Sequence, residues 1–207
     1  PTRRSSDLKV MASALAMGES NACMKRIVAA PTAGACGVLP AVLVNYQKEK
    51  GTADEQIVRA LYTAAGIGQV VAARAYIAGA SGGCQAEIGT ASAMAAGALT
   101  ALGGGTPSQI THAAAMALKN LLGLVCDPVG GLVEVPCVKR NVIGSVNALS
   151  AADMALAGII SRIPPDQVID AMREVGDQMH PSLRETGQGG LANTPAAREW
   201  CAAQEEE

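Results

Sequence analysis

The chain reads as all-α, a single compact helical domain rich in alanine and glycine. Three observations predict this. Apolar residues recur at helical period along most of the 207 residues, and no alternating run of useful length suggests a strand. The apolar fraction, 49% of the chain, is built from small residues: no Phe, one Trp and three Tyr, the rest mostly Ala, Val, Leu and Ile. Glycine accounts for 23 residues, well above the usual ~7%. Small side chains let helices approach closely, and glycine elsewhere makes turns that aim side chains at a site.

Residues 9–29 read as a first helix, and Pro31–Gly37 as a turn. A second helix spans Val38–Lys50, closed by Gly51. Thr52-Ala53-Asp54-Glu55 has the form of a capping box and opens a helix to about Gly79. A turn over 79–84 leads into a helix near 86–102, stopped by Gly103-Gly104-Gly105. Thr106-Pro107-Ser108-Gln109 is a second capping box, with Pro at the first helical position, and its helix runs to Gly123. Pro128, Gly130, Gly131 and Pro136 make 126–137 a loop without helix. A long helix is expected over 138–162, and Pro164-Pro165 starts another that ends near Met179. Residues 186–195 read as a glycine-rich loop, and Glu205–Glu207 as a solvated tail. Neither an internal repeat nor a linker divides the chain.

A net charge of −2, with Lys and Arg scattered, leaves no electrostatic footprint for nucleic acid. Residues 88–105 are eighteen uncharged positions, but they are mostly Ala, Gly, Ser and Thr without aromatic anchors. They read as a buried helix of a soluble protein, not a membrane span. The opening segment lacks the apolar core of a secretory signal, so six cysteines point to a reducing cytoplasm and to metal or catalytic use. Thr2–Asp7 corresponds to ACA CGA CGC TCT TCC GAT, the end of a common sequencing adapter, with CT beginning Leu8. Residues 1–8 are therefore expected to be a non-native leader before a catalytic domain over 9–207 that is truncated at its N-terminus.

Four cysteines, Cys36, Cys84, Cys126 and Cys137, sit in glycine- or proline-rich turns, where thiolates can converge on one point. The last three are separated by 42 and 11 residues, spacings that match neither zinc fingers nor ferredoxins. On spacing alone, ordinary buried thiols are the stronger reading and metal binding the second.

The wording around them narrows the choice. Gly-Cys-Gln-Ala-Glu-Ile-Gly (83–89), the run from Leu122 through Cys-Asp-Pro-Val-Gly-Gly-Leu to Cys137, and Arg140-Asn141 resemble the alpha chain of iron–sulfur L-serine dehydratase. So do Pro-Thr-Ala-Gly (31–34) and the segment from Leu-Arg-Glu-Thr to Gly-Gly-Leu-Ala (183–192), in register from about residue 10 to 195. The resemblance implies an all-helical catalytic domain in which Cys84, Cys126 and Cys137 hold a [4Fe–4S] cluster and Cys36 is not a ligand. It implies deaminating dehydration of L-serine to pyruvate and ammonia, with an iron free of protein ligand binding the substrate hydroxyl, and no pyridoxal phosphate. It also implies an upstream Ser-x-Thr-Gly-Gly segment, a beta chain or extra regulatory domain, and an oligomeric enzyme. A lyase for L-cysteine or L-threonine, or a metal-binding scaffold, are the rival readings.

Within that resemblance, Pro31–Gly37 precedes a helix and is a candidate seat for the substrate carboxylate, with Thr32 and Gly34 at its edge, or else a plain turn. Arg140 can offset cluster charge, fork onto a carboxylate, or lie solvated at the surface. Asn141 is a candidate donor to substrate or to a cluster sulfur. Glu87, three residues past Cys84, is a candidate base or a helix-capping carboxylate. His112 and His180 read as structural, while Lys119 and Glu134 stay open as bases.

Overall fold

The computed structural model describes residues 3–132 and 134–205. Among these, nine helices follow in chain order: α1 Arg3–Ala22, α2 Val38–Lys50, α3 Asp54–Arg74, α4 Gly79–Gly82, α5 Cys84–Leu102, α6 Pro107–Lys119, α7 Lys139–Leu156, α8 Pro165–Gln178 and α9 Pro195–Glu205. The only extended pairing among the described residues is an isolated parallel bridge between Cys126 and Arg184. The expected all-α class is what forms.

Helix α5 is the axis around which the rest assembles. It is buried on every face except at Glu87, Ala101 and Leu102, and α2, α3, α6 and α7 surround it. A helix apolar all round has to be enclosed, and Ala, Gly and Ser at most positions let four neighbours close on it. Ser92 on α5 donates to Gly144 O on α7 at 2.8 Å, and Asn147 on α7 donates to Ser92 and to Ala117 O on α6. These bonds fix the depth at which three helices meet. No helix among the described residues is long and apolar enough to cross a membrane.

The structure moves several of the expected boundaries. Helix α1 begins at Arg3 and ends at Ala22, so residues 25–30 are not helical and Cys23 lies just past the helix, exposed. Residues 1 and 2 of the expected leader lie outside the described residues, as do Glu206 and Glu207 of the expected tail. The capping box over Thr52–Glu55 does not form: Ala53 is the N-cap and no side chain caps it. Helix α3 stops at Arg74 and α6 at Lys119. Residues 79–82 form one helical turn, and 126–137 contains two short helical turns, Val129–Gly131 and Glu134–Val138. Helix α7 ends at Leu156, where Gly158 at φ +87° lets the Ile159 N–H reach Met154 O. Residues 190–193 form a 3₁₀ turn, and α9 follows unforeseen.

Candidate metal centre

Each of the three thiols reaches the centre by a different local device. Gly83 adopts φ +77°, a left-handed conformation, and turns α4 into α5 so that Cys84 is the first residue of that buried helix. A helix N-terminus favours a thiolate there. Cys126 is clamped on both sides by backbone bonds. Its N–H donates to Leu183 O at 2.8 Å, and its carbonyl accepts from Glu185 N–H at 2.7 Å. Cys137 sits in the Glu134–Val138 turn that feeds α7. The three sulfurs lie within 4.8 Å of one another and all three residues are buried. Gly79 forms part of the wall, since a Cβ there would lie 2.9 Å from Cys126 Sγ.

Arg140, the second residue of α7, is buried and faces inward, which removes the reading of a solvated surface arginine. Its Nη1 donates to Val125 O at 2.7 Å and to Cys84 Sγ at 3.3 Å, and its Nη2 pairs with Asp127 Oδ1 at 2.9 Å. Breaking a pair this buried would strand a charge, so it is a fixed part of the centre. Asp127 in turn accepts from Leu191 N–H at 2.8 Å through its other oxygen, tying in residues 183–191. The thiols of Cys126 and Cys137 donate to Cys84, and with the Arg140 guanidinium they hold it far below the ordinary thiol value, at about 3. Cys126 moves the opposite way, because its proton is shared with neighbouring sulfurs in a buried site. A metal would displace the protons of all three thiols, and the Arg140 guanidinium is placed to offset part of that charge.

Asn141 ties the other wall in place. It donates to Gly34 O at 2.8 Å and Cys137 O at 3.0 Å, and accepts from Gly37 N–H at 2.9 Å. The turn before α2 is thereby locked to the third thiol. In that turn the Thr32 hydroxyl donates to Glu87 Oε1. Gly34 leaves room for the same carboxyl, because a Cβ there would lie 2.6 Å from Glu87 Oε2. Burial raises the Glu87 pKa to about 7; the Thr32 bond opposes this, and the charges of Cys84 and Glu185 add to it.

Thr32, Gly34, Glu87, Arg140 and Asn141, singled out within the family resemblance, thus lie around the three cysteines. Other candidates fall elsewhere. Cys36 is buried but its thiol faces Met17 O at 3.6 Å, and Cys201 lies on α9. His180 caps a 3₁₀ turn through Ser182, and His112 is on α6 with a buried Nδ1 that has no partner among the described residues. Lys119 binds Ser161, and Glu134 is exposed. Sequence reasoning missed Asp127 and Gln85. The Gln85 side chain accepts from Gly123 N–H at 2.9 Å and donates to Met172 O at 3.0 Å, pinning the Cys126 approach to α8. Their only signal was position, each being adjacent to a thiol.

Three soft sulfur donors, a buried cation beside them and no fourth ligand among the described residues are a donor set suited to an iron–sulfur cluster.

Comparison with known proteins agrees with this geometry. Over 192 residues the chain is 58% identical to a Bacillus subtilis protein named "Probable L-serine dehydratase, alpha chain", covering 93% of this chain and 64% of that one. It is 57% identical to a Latilactobacillus sakei protein of the same name, covering 91% of this chain and 90% of the relative. An Escherichia coli L-serine dehydratase is 48% identical over 181 residues, of which the match spans 40%. With a family match extending over residues 2–192, the chain belongs to the serine dehydratase alpha chain family.

Proposed function

We propose that this chain performs the deaminating dehydration of L-serine to pyruvate and ammonia, with Cys84, Cys126 and Cys137 holding a [4Fe–4S] cluster. The observation that carries the reading is the convergence of three buried thiols with Glu87, a carboxyl whose pKa of about 7 suits a general base. When bound, the cluster supplies an iron without a protein ligand that acts as a Lewis acid on the substrate hydroxyl. Glu87 takes the Cα proton, and the Thr32 hydroxyl on Oε1 holds the carboxylate so that Oε2 faces the substrate. Loss of water leaves an enamine, which tautomerises and hydrolyses to pyruvate and ammonia without a further catalyst.

The substrate carboxylate rests on the leading edge of the 31–37 turn. The N–H groups of Ala35, Cys36 and Gly37 are spent on Thr32 O, Ala33 O and Asn141, so Thr32, Ala33 and Gly34 remain for the ligand. Asn141 holds that edge against Cys137. Of the roles open to Arg140, its bonds to Cys84 Sγ and Asp127 favour offsetting the charge of the thiolates over a direct fork onto serine. A beta chain or regulatory domain completes the enzyme, consistent with relatives named as alpha chains.

The test is anaerobic reconstitution with iron and sulfide, followed by pyruvate or 2-oxobutanoate release from L-serine, L-threonine and L-cysteine, with and without a relative's beta chain. Turnover of L-serine above the other two is expected. Turnover of L-cysteine alone, or iron binding without any lyase activity under both conditions, would overturn the reading.

A further inference from the structure

A zwitterionic substrate has an ammonium group as well as a carboxylate and a hydroxyl, and the carboxyls around the thiols are unequal in their freedom to meet it. Asp127 is consumed by Arg140 and by Leu191 N–H. Glu87 accepts from Thr32 and is half-buried. Glu185 alone of the three has no side-chain hydrogen bond or ion pair among the described residues.

Its placement is specific. Glu185 is one of two described residues other than glycine at positive φ, at +65°, a conformation that costs of order 1 kcal/mol or more and persists only where its surroundings impose it. What imposes it is the clamp on Cys126, because Glu185 N–H donates to the Cys126 carbonyl at 2.7 Å. The carboxylate lies on the same glycine wall as Cys126 Sγ. A Cβ on Gly79 would touch both, with Glu185 Oε2 at 3.7 Å and Cys126 Sγ at 2.9 Å. Glu185 also lines an open cavity of about 420 Å³, shared with Gly130 and Gly131 of the Cys126 loop and with Arg198 and Cys201 of α9. Its charge is felt at Glu87.

We infer that Glu185 is the residue that receives the substrate's ammonium group at the mouth of the thiol centre, making the site selective for amino acids over hydroxy acids of the same shape. The inference rests on the proposed serine chemistry and adds to it a recognition element on the 183–191 segment.

Two inert ligands test it. α-Methyl-L-serine keeps the ammonium, carboxylate and hydroxyl but has no Cα proton. Hydroxypivalate replaces its ammonium with a methyl group of similar size. Binding of both to the anaerobic, iron–sulfur-loaded protein is measured by titration calorimetry, alongside iron content. Glu185→Gln is expected to weaken α-methyl-L-serine roughly 10- to 100-fold, the scale of a hydrogen bond to a charged group, while hydroxypivalate changes less than about twofold. Glu185→Asp, which keeps the charge, should recover most of the loss. Equal loss for both ligands, no loss for either, or loss of iron in both variants would overturn the assignment, since Glu185 would then be shaping the loop or merely solvated. If the unaltered protein binds neither ligand, the serine reading itself fails and this inference with it.

Discussion

The two ends of α5 are equally buried and are used in opposite ways. At its C-terminal end, Ala95, Ala96 and Ala98 are fully enclosed, and the space above Gly97 is filled by Ile67 from α3. The one polar side chain in that stretch, Thr100, folds back on its own helix and donates to Ala96 O at 2.8 Å. At the N-terminal end, Gln85 is also enclosed and Glu87 half-buried, but their partners come from far away in sequence: Gly123, Met172 and Thr32. Buried polar groups must be satisfied in either case. Where the partner lies one turn away, the group costs little and specifies nothing beyond the helix. Where the partners come from other elements, the same requirement holds distant segments in register, and that register is what a site needs.

The sharpest way to break the contrast is to remove a thiol. Cys84→Ala, Cys126→Ala and Cys137→Ala should each abolish iron and sulfide uptake, and activity with it, while the folded helix content stays unchanged. Cys23→Ala, Cys36→Ala and Cys201→Ala should keep full iron content, because none of these thiols belongs to the group of three. Iron analysis and visible absorption decide this. Iron retained by Cys84→Ala but lost by Cys36→Ala would move the centre into the turn before α2.

Glu87→Gln tests the same end without touching a ligand. As the proposed base, its loss should lower turnover by about 10²–10⁴-fold. Turnover of the unaltered enzyme should rise with pH through about 7, as the carboxyl ionises. Stability runs the other way. A carboxyl whose pKa rises from 4.5 to about 7 on folding binds more protons when folded, so stability falls as pH climbs through that window. The amide does not ionise. Glu87→Gln should therefore be more stable than the parent at pH 8, by up to about 3 kcal/mol, with the gap closing towards pH 4. A stability curve of the same shape in both proteins would mean the carboxyl is solvated.

At the other end the expected loss is in stability alone. Leu99 is 6% exposed, and Leu99→Ala should cost about 2–5 kcal/mol in denaturant unfolding. Iron per folded molecule and KM should stay as they were. If iron affinity fell in step with stability, the two ends would be one cooperative unit and the division drawn here would disappear.

The same division explains what could be read from the chain before its structure. Helix α2 was legible to the residue, because Gly51 at φ +62° is an ordinary C-terminal signal. Helix α1 was over-extended, because its end has the same bonding with no glycine: Met24 takes φ +56°, and Lys25 N–H reaches Ser20 O at 2.8 Å. Nothing in a methionine announces that turn. Gly158 did announce the end of α7, but among alanines and isoleucines the helical period ran on past it. At the site, the thiols and Glu87 were legible from residue type and local wording. The Asp127–Arg140 pair, the clamp of Leu183 and Glu185 on Cys126, and the role of Gln85 were not, since each depends on segments brought together only by packing around α5.

The smallest effect falls where that packing meets a purely local device. At the start of α6, beside the C-terminal end of α5, Thr106 Oγ1 accepts from Gln109 N–H at 3.3 Å and Gln109 Oε1 accepts from Thr106 N–H at 2.9 Å. This is the reciprocal cap expected from Thr-Pro-Ser-Gln. Thr106→Ala removes the first of these bonds and leaves the second, so the loss should be about 1 kcal/mol or less, and Thr106→Ser should restore it. Gln109 also donates to Ala155 O on α7 at 2.9 Å, which keeps its side chain in place after the substitution. Iron content and turnover should not move, because no bond in this cap reaches the thiol end of α5. A drop in iron content with Thr106→Ala would show that strain travels the length of α5, and the helix would then have to be regarded as a lever rather than as two independent ends.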